Sequence, residues 1–164
     1  MNTLSLTAPS FAHTSIVPAL KKNGEHQEIG RSRGGLSTKI NATVDALGNP
    51  TGFVLTPGQA PDLDGSDELL PTITADTVLA DKGYDADERV IEPLRAAGKE
   101  AVVPSKRHRK EPRPYDKELY KARHLIENFF CKLKQFRAIA TRYDKTARNF
   151  LAAIYLVASL IWLI

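Results

Sequence analysis

Cysteine is nearly absent: the 164 residues contain one, Cys131. No disulfide can form within the chain, and a reducing cytoplasm is the natural setting. One thiol with four scattered histidines makes a zinc site a poor expectation, and His13 and His26 read as exposed loop residues. The opening stretch (MNTLSLTAPSFAHTSIVPAL) lacks a basic region followed by a continuous apolar core, so no signal peptide is expected. It also lacks acids: from Met1 through Lys22 there is no Asp or Glu. Long apolar runs are missing too, apart from Phe150 to Ile164 (FLAAIYLVASLIWLI). A spanning helix needs roughly 20 apolar residues, so a buried final helix is the expectation and a membrane anchor the alternative.

What is present fits one soluble domain with a modest core: 42% hydrophobic and 26% charged residues. The formal net charge is +4 and the sequence pI about 9.2. That balance favours a polyanionic partner, although many basic proteins bind no nucleic acid.

Met1 to Leu20 is rich in Ser, Thr, Pro and Ala without a sustained period of 2 or 3.6, which reads as an irregular arm. Lys21 to Gly35 (KKNGEHQEIGRSRGG) is polar and Gly-studded, a linker or loop. From Thr38 to Asp45, Ile40, Ala42 and Val44 alternate with polar residues, as in a half-buried strand. Gly48-Asn49-Pro50 supplies a turn and Gly52 to Thr56 a second strand, making a hairpin. Asp62 to Leu70 suits a short helix closed by Pro71. Thr77 to Ala80 (TVLA) is a short apolar strand ending at Asp81. Asp87 can cap a helix through Val90, Leu94 and Ala97 to Gly98, and Ala101 to Val103 is another buried strand. Pro104 to Pro114 (PSKRHRKEPRP) is a basic loop that three prolines keep irregular. The helical period is clear from Asp116 to about Arg137, where Leu119, Ile126, Phe130 and Leu133 recur at helical steps. Thr146 can cap the last helix. Strand and helix alternate, which predicts an α/β fold with a mixed sheet flanked by helices.

Two elements carry chemistry. Asp81-Lys82-Gly83-Tyr84-Asp85 puts a carboxylate at the C-terminal end of a buried strand, the rim where open α/β sheets place their sites. An Asp that merely caps the turn is the plainer reading. Tyr120, Arg123, Glu127 and Lys134 form the pattern Y-x2-R-x3-E-x6-K, which brings all four near one helical stripe. The residues alone leave two readings open: a sheet-facing polar site, or an ordinary intrahelical ion pair worth tenths of a kcal/mol.

Together, D-K-G-Y and this helix resemble the DDE transposases of bacterial insertion sequences, in the IS-four/IS-five superfamily. GRSRGGLSTKI, VDALGNP, FVLTPGQAPD, VLADKGYDAD, KRHRKEPRPYDK and LKQFRAIATRYDKTARNFLA share the likeness, which runs from about Ile29 to the end. The resemblance implies a partial catalytic domain over residues 29–164 with a ribonuclease-H-like fold, and a role in DNA transposition. It implies three carboxylates converging on two divalent ions, magnesium or manganese, for in-line phosphoryl displacement. Hard oxygen ligands suit such ions. Carried over, Asp81 is the second carboxylate and Glu127 the third. Arg123 and Lys134 would pair with phosphate and Tyr120 would orient. The basic residues Lys106, Arg107, Arg109, Lys110 and Arg113, with Arg142 and Lys145, would contact DNA phosphate; a solvated charged loop is the plainer reading.

The first carboxylate is missing. In the family it lies in an Asp-Ser-Thr strand before the hairpin, and here that region reads Thr7-Ala8-Pro9-Ser10-Phe11-Ala12-His13-Thr14. Asp45 is the only tempting substitute, but V-D-A-L-G-N-P matches the family's hairpin turn and makes it a turn residue. Codons chosen for the family's stretch (Asp-Ser-Thr-Ile-Val-Arg-Ala-His-Gln-His-Ser-Ala-Gly-Ala), read one base later, give Thr7 through Ala19. The arm, residues 1–28, is therefore expected to be out of frame and the fold to lack its first strand. The frame would change at Lys21-Lys22-Asn23, where lysine codons can form an adenine run. A full enzyme would then arise only by frameshifting, and this chain alone would be inactive. The rival is a non-catalytic DNA-binding or inhibitory fragment that pairs with intact transposase or with itself; a decayed product that never folds stably is the third reading.

Overall fold

The computed structural model describes residues 3–7, 10–12, 27–32 and 35–163. His13, His26 and the expected frame change at Lys21–Asn23 lie outside the described residues.

A mixed sheet organises the chain. Its strands are β1 (Thr3–Thr7), β2 (Ser10–Ala12), β3 (Gly30–Ser32), β4 (Gly35–Val44), β5 (Pro50–Pro57), β6 (Thr77–Ala80) and β7 (Glu100–Val102). β4 is antiparallel to β5, with a register shift at Thr43/Val44. That is the hairpin expected from the alternation around Ile40. Its turn is held by Asp45, whose Oδ1 accepts from the Leu47 and Asn49 amides at 2.8 and 2.9 Å. Asp45 is a turn residue, as the VDALGNP pattern predicted.

The other edge of β4 carries a surprise. β1 pairs antiparallel with β4 and parallel with β6, which in turn pairs parallel with β7. The expectation that the first strand is missing is corrected here: Thr3–Thr7 fills the central slot of the sheet. β2 continues along β4 in the same register, Ser10 opposite Lys39 as Thr7 is opposite Ala42. Five residues with neighbours on both sides need little periodicity of their own, because the flanking strands supply their backbone partners.

Alternation then divides the core. Ile40, Ala42, Val44, Phe53 and Leu55 pack on one face under α4 (His124–Gln135), α5 (Arg137–Ala140) and α6 (Ala147–Leu163). Val78, Ala80, Tyr84, Val90 and Leu94 form a second cluster with Leu69 of α1 (Asp62–Leu69), where α2 (Glu92–Ala96) also packs. Gly65 lets α1 close on the sheet: a Cβ there would stand 2.1 Å from Asn41 Cγ. The mixed α/β fold expected from the element order is present, and it is compatible with a ribonuclease-H-like domain.

Two helices differ from expectation. The long helix is broken into α3 (Lys117–Tyr120), a 3₁₀ turn (Lys121–Arg123) and α4, and Phe136 at ψ 98° ends it before α5. Asp116 caps its start, accepting from the Glu118 and Leu119 amides at 2.8 and 2.9 Å. α6 is capped by Thr146, which accepts from the Asn149 amide at 3.3 Å. The final helix is only half buried: Phe150, Ile154, Val157 and Ala158 face the core, while Leu156, Trp162 and Leu163 are exposed. No helix among the described residues is long and apolar enough to cross a membrane.

Candidate active site at the end of the central strands

All four residues of β6 are buried, so the chain emerges from the sheet at Asp81. Leu6 of β1 lies level with Ala80 of β6, and the following residues, Thr7 and Asp81, therefore come level at the same sheet edge. Asp81 caps the 3₁₀ turn Lys82–Tyr84, its Oδ1 accepting from the Gly83 amide at 2.6 Å. The capping role is real and leaves its second oxygen without a hydrogen bond from a described residue. Tyr84 is fully buried, and its hydroxyl has no partner among the described residues. Burial, then Asp62 and Asp81, push its proton release far above the ordinary phenol range.

The helical half of the site comes from the segment packed over β1. Arg123 pairs with Glu127 one turn further on, and its guanidinium sits 5.7 Å from the Tyr120 ring centre. Tyr120 stands edge-on to Tyr115 at 5.4 Å. Burial raises the proton affinity of the Tyr120 phenol; Arg123 opposes this, and Asp81 and then Glu127 add to it. Tyr120 is thus the group that feels both motifs, and Asp81, Tyr120, Arg123 and Glu127 share one neighbourhood. Lys134 is exposed in the last turn of α4, about 10 Å along the helix from Glu127.

The basic residues divide into two sets. Lys106, Arg107, Lys110 and Lys145 are exposed. Arg109 and Arg113 are turned inward onto two acids: Arg113 reaches Asp85 and Asp87 at 2.8 Å each, and Arg109 reaches them at 3.2 and 2.5 Å. The Lys106 amide also donates to Asp85 at 2.8 Å. With its side chain only 3% exposed, Asp85 is the buried post to which the loop is tied. Arg142, expected among the phosphate contacts, is buried at 1% exposure. It donates to the carbonyls of Gln27 (2.7 Å), Glu28 (3.1 Å) and Asp144 (3.3 Å) and to Thr38 Oγ1, and lies 4.8 Å over Phe150. Burial pushes its guanidinium down to about 10, with Glu28 and Asp144 opposing. It stays charged near neutrality and works as an internal clamp.

Asp81 and Glu127 are hard oxygen donors of the kind magnesium takes. Among the described residues, however, no group of three Asp, Glu, His or Cys side chains is placed to hold a metal. The described residues alone do not make a three-carboxylate, two-ion site.

The sequence reading missed Asp62. It opens α1, pairs with Lys39 at 2.7 Å, and its Oδ2 would stand 3.5 Å from a Cβ on Gly83. The two partners are 23 residues apart in sequence, beyond the reach of any local pattern.

The site thus offers a strand-end aspartate, a helix-borne glutamate and an exposed basic loop. The family described as "Transposase DDE domain" matches residues 12–162. A Brucella ovis protein, whose name assigns it as the transposase for insertion sequence element IS6501, is 38% identical over 132 residues. That alignment covers 78% of this chain and 99% of the relative. The chain belongs to the DDE-domain transposases of insertion sequences, and its role is in DNA transposition. Membership implies dependence on divalent metal. No solved structure matches it.

Proposed function

We propose that this chain is the catalytic part of an IS-four/IS-five transposase, read from the downstream frame of a two-frame element. Alone it does not complete the reaction. Asp81 serves as the second carboxylate and Glu127 as the third; Tyr120 orients, and Arg123 and Lys134 meet DNA phosphate. The intact enzyme would hydrolyse phosphodiester bonds at the element ends and join the 3′-hydroxyl to target DNA, using magnesium or manganese in the cytoplasm. The observation that carries this is the family match over residues 12–162, which spans both the Asp81 motif and the Tyr120-to-Lys134 helix.

The out-of-frame arm explains why the position level with Asp81 is threonine. The same threonine supports the second reading, a fragment that binds DNA or pairs with intact transposase without cutting.

The test joins the two frames at Lys21–Asn23 and measures strand transfer on element-end DNA. Glu127→Gln should abolish transfer with folding intact, because the amide keeps the shape and removes the charge. The Arg123–Glu127 pair is partly exposed, so its loss costs under about 1 kcal/mol of stability. Transfer retained in this variant contradicts the assignment.

A further inference from the structure

We propose that Asp85, helped by Asp87, is a positioning residue for DNA: it holds the basic loop, residues 104–114, in the form that meets phosphate. The proposal rests on the transposase reading for the identity of the polyanion, and on hydrogen bonds within this chain for the ordering.

A loop carrying Lys106, Arg107, Arg109, Lys110 and Arg113 has a reason to spread, because like charges repel. Its three prolines narrow the backbone but donate no hydrogen bond. Inside the loop, the Arg109 amide donates to the Lys106 carbonyl at 3.0 Å and the Arg113 amide to Ser105 Oγ at 2.7 Å. The stronger ties run to an acid outside it. Asp85 Oδ2 accepts from the Lys106 amide at 2.8 Å and from Arg109 Nε at 3.2 Å, and its Oδ1 accepts from Arg113 Nη2 at 2.8 Å. One carboxylate therefore holds the loop at its start, middle and end. Asp87 repeats the clasp on the solvent side, accepting from Arg109 at 2.5 Å and from Arg113 at 2.8 Å.

The clasp also fixes where the loop stands. Asp85 closes the turn that follows Asp81, its amide donating to the Lys82 carbonyl at 3.3 Å. The loop is thus anchored four residues beyond the acid that ends β6. With Arg109 and Arg113 turned inward, Lys106, Arg107 and Lys110 are the cations left exposed. An acid at the root of such a loop has two effects on DNA of opposite sign. Its charge repels phosphate. Its hydrogen bonds remove part of the ordering that binding would otherwise require, worth about three- to tenfold in affinity for one or two long side chains. Ordering wins here, because the Asp85 side chain is 3% exposed and already faces two guanidiniums, so little of its charge reaches a bound phosphate.

The test measures binding of the purified chain to duplex DNA of arbitrary sequence by fluorescence anisotropy. Asp85→Asn raises the net charge by one and should nevertheless weaken binding about three- to tenfold. Asp87→Asn should act in the same direction by about twofold; it alters the exposed half of the clasp and decides the matter if Asp85→Asn fails to fold. In a chain with Lys106, Arg107 and Lys110 replaced by alanine, Asp85→Asn should have little further effect, since both changes act through one loop. Exchange of the Lys106 amide hydrogen should quicken in Asp85→Asn while the β6 amides stay protected. Tighter binding in either variant would mean that the acids mask the arginines, and overturns the proposal. Unchanged binding overturns it as well, as does an equal loss in both backgrounds, the mark of an acid that only supports the fold. Strand transfer lost in Glu127→Gln would stand in each of those cases, so the clasp can fail without the transposase reading failing.

Discussion

Replacing Arg142 with methionine separates an internal clamp from a DNA contact. Methionine keeps much of the length and the contact with Phe150 but removes every donor. Four acceptors then lose the guanidinium: the carbonyls of Gln27, Glu28 and Asp144, and Thr38 Oγ1, while the Glu28 carbonyl keeps its bond from Thr38 Oγ1 at 2.5 Å. A hydrogen bond to a charged group contributes about 1.5–3 kcal/mol, and a buried acceptor left bare costs about 1–3 kcal/mol. The guanidinium's own desolvation offsets part of this, because burial outweighs Glu28 and Asp144 and leaves its proton affinity lowered to about 10. The net loss expected is about 3–5 kcal/mol, the range seen when one partner of a buried charged network is removed. Against a total of roughly 5–15 kcal/mol, that is a large share. The folded value lies below that of a free guanidinium, so the cost of charging Arg142 is fully present below about pH 10. It is relieved only as pH rises through that value, so near neutrality Arg142 contributes no pH dependence. Urea denaturation of both proteins reads the difference, and DNA affinity against salt provides the contrast. A clamp gives a lower midpoint and an unchanged salt slope for the folded fraction. A variant within 1 kcal/mol of wild type, with a slope reduced by about 0.9 for one lost phosphate contact, would refute this reasoning.

The exposed part of the basic loop should behave the other way. Replacing Lys106, Arg107 and Lys110 with alanine should weaken duplex DNA binding without sequence preference and cut the salt slope by roughly 2 to 3; binding like wild type would remove the loop from the DNA interface. Position 7 offers a gain of function. Thr7→Asp puts a carboxylate level with Asp81 and should tighten manganese binding roughly tenfold through added ligand charge, and unchanged affinity would contradict the register.

Much of the fold was legible because its signals are local. Ile40, Ala42 and Val44 alternate, TVLA is uniformly apolar and stops at an acid, and Asp116 and Thr146 stand one residue before their helices. β1 was not legible, since its pairing lies with β4 and β6, more than thirty residues away. The same limit hid the Lys39–Asp62 pair and the clasp of Arg109 and Arg113 on Asp85, each linking residues over twenty apart. Arg142 misled for another reason: a basic residue near a chain's end reads as solvated, and only tertiary packing supplied its carbonyl acceptors. The exposed half of α6 misled in the opposite sense, because an apolar run shows no polar face from which to infer which side meets water. At the site, the pairing of Arg123 with Glu127 followed from helical spacing, but Asp62 could not.

Nicking of element-end DNA by the purified chain in magnesium or manganese tests the incomplete acid set most directly. With Thr7 level with Asp81 and no group of three acids placed to hold a metal among the described residues, neither nicking nor joining is expected. Robust metal-dependent cleavage that disappears in Asp81→Ala would contradict this.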